Sequence, residues 1–221
     1  MKKFQTLTVI ALLSVFTFST AIQISFAQSS LSKKQERQRD KAKNKQYREK
    51  MQKYKSEGWS LSGSSSTLEV AWFDHQAKLN DKNKELVVIV SKCKSINVCK
   101  QFALNNAMNY YAASAGGNVK GRIGSLLRGD ANMPQNEVDK FIAGYETQVK
   151  AEIGGALTAS FSVVKDNGDG TKSYESYFIV NEEEASLARD RALKRSLLET
   201  KIAVKEAEEI SKFVNEGFDL E

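Results

Sequence analysis

Among its 221 residues the chain has one proline, one histidine and two cysteines. So little proline excludes a collagen-like or proline-rich spacer chain. Two cysteines are too few for a disulfide-dense miniprotein, and with a single histidine they cannot supply a zinc ribbon's four ligands. His75 standing alone also removes metal sites built on two histidines and makes any Ser-His-Asp triad depend on it. No Gly-x-Ser-x-Gly elbow occurs, so that hydrolase nucleophile is missing as well. Long apolar runs are scarce, which excludes a multi-pass membrane protein.

The one extended apolar stretch is Leu7 to Phe18. It follows the basic start Met1-Lys2-Lys3 and precedes Ser25-Phe26-Ala27, the small-residue pattern that a signal peptidase cuts. Residues 1–27 are therefore expected to be a signal peptide cleaved after Ala27, leaving a periplasmic or secreted protein that begins at Gln28. The stretch is short for a transmembrane anchor, and no cysteine near the cut offers a site for lipid attachment.

Charge is unevenly placed. Between Lys33 and Lys55 stand 11 basic and three acidic residues, net +8, while the rest of the expected mature chain is mildly acidic. Residues 28–57 thus read as a basic helical arm, with Ser32 as N-cap and Gly58 as the stop. Tyr47, Met51 and Tyr54 form its only apolar stripe, at spacings of four and three. Residues 58–221 read as one α+β domain: a mainly antiparallel sheet, helices packed on one face and a long C-terminal helix.

Within that domain, Ser62 to Ser66 looks like a joint. Thr67 looks like the cap of a helix whose inner face is Leu68, Ala71, Trp72, His75 and Leu79. Asn80 to Lys84 reads as a turn. The apolar run Leu86 to Val90 reads as a strand buried on both faces at the centre of the sheet. The spacing predicts a helix over Asn97 to Ser114 with Phe102, Ala103, Ala107, Tyr110 and Ala113 or Ser114 on its inner face, ended by Gly116-Gly117 and followed by a strand over Val119 to Leu127. A further helix after Pro134 turns Val138, Phe141, Ile142, Tyr145 and Val149 to one side. Ala156 to Val164 and Ser173 to Val180 alternate like a hairpin closed around Asp166 to Gly170. Glu182 to Val214 reads as one helix with two apolar stripes, one of Leu187, Leu198, Ile202 and Phe213, the other of Leu193, Leu197 and Val204. Two stripes ask for two partners, so a homo-oligomer through the C-terminal helix is one expectation.

In an oxidising compartment Cys93 and Cys99 are expected to pair as a structural disulfide, because five intervening residues do not suit a redox pair. Asp166 to Thr171 resembles a calcium loop only superficially. Gly168 stands at the third position and Tyr177 at the twelfth, where the bidentate Glu would be, so a hairpin turn is the better reading. Arg128-Gly129-Asp130 reads as a polar loop. The Gly-rich stretch from Gly116 to Gly121 lacks a preceding strand for nucleotide binding. Carboxylates such as Glu146 and Glu152 read as solvated helix-face charges. Neither a catalytic set, a metal site nor a cofactor is expected from these residues.

At Ala103, Ala107 and Tyr110, then from Tyr145 through Leu157-Thr158-Ala159-Ser160-Phe161 to Ser173-Tyr174-Glu175-Ser176-Tyr177-Phe178-Ile179-Val180, the chain resembles the Lpp-twenty-like envelope lipoprotein family. The likeness spans Leu86 to Asn181, about half of the mature chain. It implies an α+β envelope domain of non-enzymatic role, sometimes tied to outer-membrane or flagellar assemblies. This chain lacks the family's lipidated cysteine and adds the basic arm and the long final helix.

These features together point to an exported bacterial envelope protein acting as a non-catalytic binding or structural module. Its basic residues Lys33, Lys34, Arg37, Arg39, Lys41, Lys43, Lys45 and Arg48 would meet an anionic envelope polymer or lipid headgroup, nucleic acid being the wrong partner outside the cell. The alternative is a secreted hydrolase using His75 or a carboxylate pair.

Overall fold

The computed structural model describes residues 41, 44–127 and 135–199. The expected signal peptide, the expected Ser32 cap, Arg128-Gly129-Asp130 and the part of the expected C-terminal helix from Thr200 to Val214 lie outside those residues. The chain divides into two compact units, Met1–Tyr54 and Lys55–Glu221.

The described part of the first unit is helical, and this helix, α1, runs over 44–57. Tyr47, Lys50 and Met51 are half-buried and Tyr54 is buried. Lys50 Nζ lies 5.8 Å from the Tyr54 ring centroid, within reach of a cation–π contact. Gly58, with φ +77°, follows the last helical residue, the left-handed step that glycine adopts at helix ends.

In the second unit, four strands form one antiparallel sheet in the order β1-β3-β4-β2: β1 is Ser60–Leu61, β2 Asn83–Cys93, β3 Leu157–Asp166 and β4 Lys172–Asn181. The helices are α2 (Leu68–Lys78), α3 (Ile96–Leu127), α4 (Gln135–Glu152) and α5 (Glu182–Leu198), with a 3-10 turn at Ile153–Ala156. The fold is α+β, as the sequence predicts. No helix among the described residues is long and apolar enough to cross a membrane.

The hairpin is where alternation placed it. Leu157 pairs with Val180 and Asp166 with Lys172, with one shift between Ala159 and Phe161 where Ser160 is the extra residue of a bulge. Strand β2 departs from expectation. It is eleven residues long and lies at the sheet edge beside β4, not at the centre. Leu86, Val88 and Val90 enter the core, Val87 is half-buried and Ile89 is 61% exposed. Five consecutive apolar residues hide which of the two faces is covered, because a period of two is invisible in such a run. Asn83 and Lys84, expected in a turn, already belong to β2. The tight turn before them is closed by Asn80, whose Oδ1 accepts from Lys82 N at 2.8 Å and Asn83 N at 3.0 Å.

Helix α3 is the larger correction. It spans 32 residues, running through Gly116, Gly117 and Gly121 and across the stretch from Val119 expected to be a strand. Its buried residues recur every fourth position: Cys99, Ala103, Ala107, Tyr111, Ala115, Val119 and Ile123. A step of four overshoots the 3.6-residue turn by roughly 40°, so the buried face winds around the helix. The winding lets one helix lie on β2 and β4 and also pack against α4. Phe102 and Tyr110, expected inside, are about half exposed because they sit beside this winding line. At Gly116 an added Cβ would collide with the side chain of Glu146 on α4. Glycine is kept in the helix because packing outweighs its propensity cost of about 1 kcal/mol.

On α4, Val138, Phe141, Ile142, Tyr145 and Val149 are all buried, as the spacing predicts. Helices α3, α4 and α5 share one core with the sheet face that carries Leu86, Val88, Tyr174, Phe178 and Val180. The short α2 lies against β3, with Leu68, Ala71, Trp72 and Leu79 half-buried and His75 buried. Thr67 caps it, its hydroxyl accepting from Val70 N at 3.3 Å. On α5 the stripes separate: Leu193 is buried and Leu197 half-buried, whereas Leu187 and Leu198 stand in solvent, Leu198 at 87% exposure. The buried line of α5 is instead Ala185, Ala188, Arg189, Ala192, Leu193 and Ser196.

Candidate functional site

Of the eight basic residues named for anion binding, Lys41, Lys45 and Arg48 lie among the described ones, and all three are exposed. Lys45 Nζ approaches Glu49 Oε1 at 3.8 Å, one helical turn away. Such an exposed pair is weak and yields readily to a stronger anion. Lys33, Lys34, Arg37, Arg39 and Lys43 lie outside the described residues.

Cys93 and Cys99 form a disulfide, with Cα atoms 5.3 Å apart. It ties the end of β2 to the first turn of α3, and both cysteines are buried. The bridge closes a seven-residue ring, worth roughly 2.4 kcal/mol in the loop-entropy description.

His75 is completely buried. Its Nε2 donates to Glu85 Oε2 at 2.6 Å, a contact that joins α2 to β2. The ring meets Phe161 and Tyr177 edge-on, with centroids 5.5 Å and 5.4 Å away, and those two rings stack on one another at 4.2 Å. Trp72 adds edge contacts to both. His75 Nδ1 has no hydrogen-bond partner among the described residues. The imidazole is thus a peg in an aromatic box, with no solvent-facing side at which a substrate could meet it.

The two carboxylates Glu146 and Glu152 do not come together. Glu146 lies over Gly116. Glu152 accepts from Arg191 Nε at 2.8 Å and pairs with Arg195 Nη1 at 2.6 Å, linking α4 to α5. The hydrogen bond from Arg191, with help from the charge of Arg195, holds its carboxyl below the usual range.

In the hairpin loop, Asp166 Oδ1 accepts from Gly168 N at 2.9 Å and Oδ2 from Lys172 Nζ at 3.0 Å. Asp169 Oδ1 accepts from Thr171 N, and Oδ2 faces Lys92 Nζ at 3.5 Å. Gly168 and Gly170 take φ of +78° and +79°. The carboxylates are spent on the turn and on two lysines. Among the described residues no group of three or more His, Cys, Asp or Glu side chains is placed to hold a metal ion.

Two arrangements escaped sequence reasoning. The first is a buried polar cluster among α3, α4 and α5. Arg189 donates from Nη1 to the Tyr111 hydroxyl and from Nη2 to Glu182 Oε1 at 2.5 Å. Burial is the main cause that pushes the Tyr111 phenol up to about 12. Burial also raises Tyr145, whose hydroxyl has no hydrogen-bond partner among the described residues. The signal for this cluster was an arginine inside an alanine stripe, Ala185, Ala188 and Ala192.

The second is a cleft of about 400 Å³ between α3 and the β3 end of the sheet. Leu157, Ala159 and Phe178 contribute apolar wall, and Leu104 and Lys100 project from α3. Ser62, Ser160, Ser162 and Ser176 bring hydroxyls. Ser162 and Ser176 Oγ atoms lie 2.9 Å apart across the β3–β4 ladder. Ser62 Oγ is buried with no hydrogen-bond partner among the described residues. Serine at strand positions flanked by valine and aromatic residues was the available hint.

Comparison with protein-family models, with curated proteins and with solved structures finds no match.

Proposed function

We propose that this chain is an exported bacterial envelope protein serving as a non-catalytic binding or structural module, its basic arm engaging an anionic envelope polymer or lipid headgroups. The observation that carries the reading is the division of the arm: Tyr47, Met51 and Tyr54 of α1 are withdrawn from solvent while Lys45 and Arg48 of α1, and Lys41 before it, are exposed. A cationic row of this kind attracts an anionic surface at about 1 kcal/mol per side chain near it, and the attraction fades with salt. The buried disulfide suits an oxidising space. The enclosed His75 and the dispersed carboxylates favour binding over hydrolysis. The likeness to the Lpp-twenty-like family belongs to this reading, with its segments lying on α3, α4, β3 and β4.

Self-association is supported separately by Leu187 and Leu198, exposed leucines on α5. It is tested by light scattering of the mature chain, where a monomer at high concentration ends that branch of the reading.

The arm is tested by co-sedimentation with purified cell-wall sacculi and with phosphatidylglycerol vesicles. The mature chain is compared with a variant in which Lys33, Lys34, Arg37, Arg39, Lys41, Lys43, Lys45 and Arg48 are each changed to Gln. The expected result is retention on at least one surface that falls sharply in the variant and in high salt. Equal retention of the two proteins removes the arm from the account.

A further inference from the structure

The open edge of β3 beside the cleft carries an inference that goes beyond the arm. Strand β1 is two residues long and engages β3 at Val163 and Val164, with one more bond from Ser62 N to Ser162 O at 2.8 Å. From Leu157 to Phe161, β3 pairs with β4 on one side and with no strand on the other among the described residues. A strand edge of this kind leaves main-chain donors and acceptors ready for another extended chain. The cleft runs beside this stretch, with Leu157, Ala159 and Phe178 as wall and Leu104 opposite.

One end of the cleft is polar. Lys100 is its one charged lining residue, and no carboxylate lines it. Among the described residues Lys100 makes no ion pair. Its Nζ lies 3.8 Å from where a Cβ on Gly63 would stand, and Ser62, the preceding residue, lines the same cleft. A desolvated hydroxyl without a partner and an unpaired ammonium in the same cleft suit an incoming carboxylate.

We propose that this cleft receives an extended C-terminal peptide of another protein, added as a strand parallel to β3 along Leu157 to Phe161, with its terminal carboxylate at Lys100 and Ser62. Since β1 already occupies the edge beside Ser162 to Val164, an added strand has to stop at Ser62. The chain end therefore falls where the positive charge is. A parallel strand runs from Leu157 toward Phe161, so the end that meets Lys100 is its C-terminus. Alternate side chains of the peptide would face the apolar wall and set selectivity, as in other strand-addition complexes.

The test uses the whole mature protein, immobilised, and two libraries of octapeptides with alternating apolar and hydroxyl side chains. One library ends in a free carboxylate and the other in an amide. The tightest acid is then measured in solution by fluorescence polarisation. The expected result is saturable binding of the acid, with its amide weaker by about tenfold or more. Lys100→Gln should erase the acid-over-amide preference, and Ala159→Trp, at an exposed position, should abolish binding. The arm variant described above should bind like the parent, which keeps this site's failure separate from the arm's.

Failure to retain any peptide overturns the proposal. So do equal affinities for acid and amide, or undiminished binding by both Lys100→Gln and Ala159→Trp. Decanoate binding weakened by Lys100→Gln, with no peptide retained, overturns it in favour of an amphiphile. Self-association lost on Ala159→Trp, with no peptide retained, overturns it in favour of a second copy.

Discussion

The turn of the β3–β4 hairpin and the helical layer of α3, α4 and α5 hold their charged groups in opposite ways. At that turn Asp166 and Asp169 are exposed and met by Lys172, Lys92 and backbone N–H groups, while within β4 the buried Glu175 accepts from the Tyr177 hydroxyl at 2.9 Å. In the helical layer a guanidinium is sealed inside, against Tyr111 and Glu182. Polar groups at a rim cost little to keep and contribute little. A buried charge network is costly to break at one member and inexpensive to replace as a whole by apolar side chains. The helical layer should therefore be the part in which single substitutions have the larger effects.

The sharpest break of this comparison is at Arg189. Arg189→Met should cost about 3–5 kcal/mol by stranding the Glu182 carboxylate and the Tyr111 hydroxyl, whereas the triple change Arg189→Met, Glu182→Leu and Tyr111→Phe should be near neutral or stabilising. Urea unfolding of the two variants reads the difference, and equal losses would mean that stranding the polar partners is not what matters there. Next comes the corner that joins the sheet to the helical layer. Changing Cys93 and Cys99 together to Ser should lower stability by roughly 2.4 kcal/mol. Thermal unfolding with and without reductant gives an independent value for the same bridge.

A smaller effect separates neighbouring glycines of α3. Gly116→Ala forces Glu146 aside and should cost about 1–3 kcal/mol. Gly117→Ala meets nothing within 4 Å and should stabilise by about 0.4–1 kcal/mol. Matching changes at both positions would show that α4 does not press on α3 at Gly116.

The smallest effect is the pH response of the hairpin. Asp166 is held below its ordinary value chiefly by Gly168 N, and Asp169 chiefly by the Thr171 hydroxyl. Carboxyls depressed in the folded state take up protons first in the unfolded one. Their stabilisation is complete above about pH 4 and is lost as pH falls through the depressed values. Asp166→Asn should flatten the acid limb of stability between about pH 4 and 2 in denaturant titrations. An unchanged slope would remove the turn carboxylates from the acid response.

Elements differ in how much of them could be read in advance. Helix α4 was legible because its buried residues from Val138 to Val149 keep a period near 3.6, and the hairpin because its Asp- and Gly-rich turn separates two strand-forming runs, although β4 is buried on both faces. Helix α3 serves two neighbours, and its every-fourth-residue line matches neither a straight amphipathic face nor a stop at Gly116. The fivefold apolar run of β2 conceals its period and hence its place at the edge. Of the candidate sites, the Cys93–Cys99 pair needed only proximity in sequence and was readable. The cleft was not, because Ser62, Lys100 and Ser162 come from three elements and meet through β1, an element two residues long.

Export underlies the functional account, since both the bridge and the anionic partner presuppose an oxidising space outside the cytoplasm. Intact-mass analysis with thiol alkylation, applied to protein recovered from its native cells, tests this most directly. The account predicts a chain beginning at Gln28 that takes up no alkylating reagent until it is reduced. A retained leader, or Cys93 and Cys99 alkylated without reduction, would contradict it.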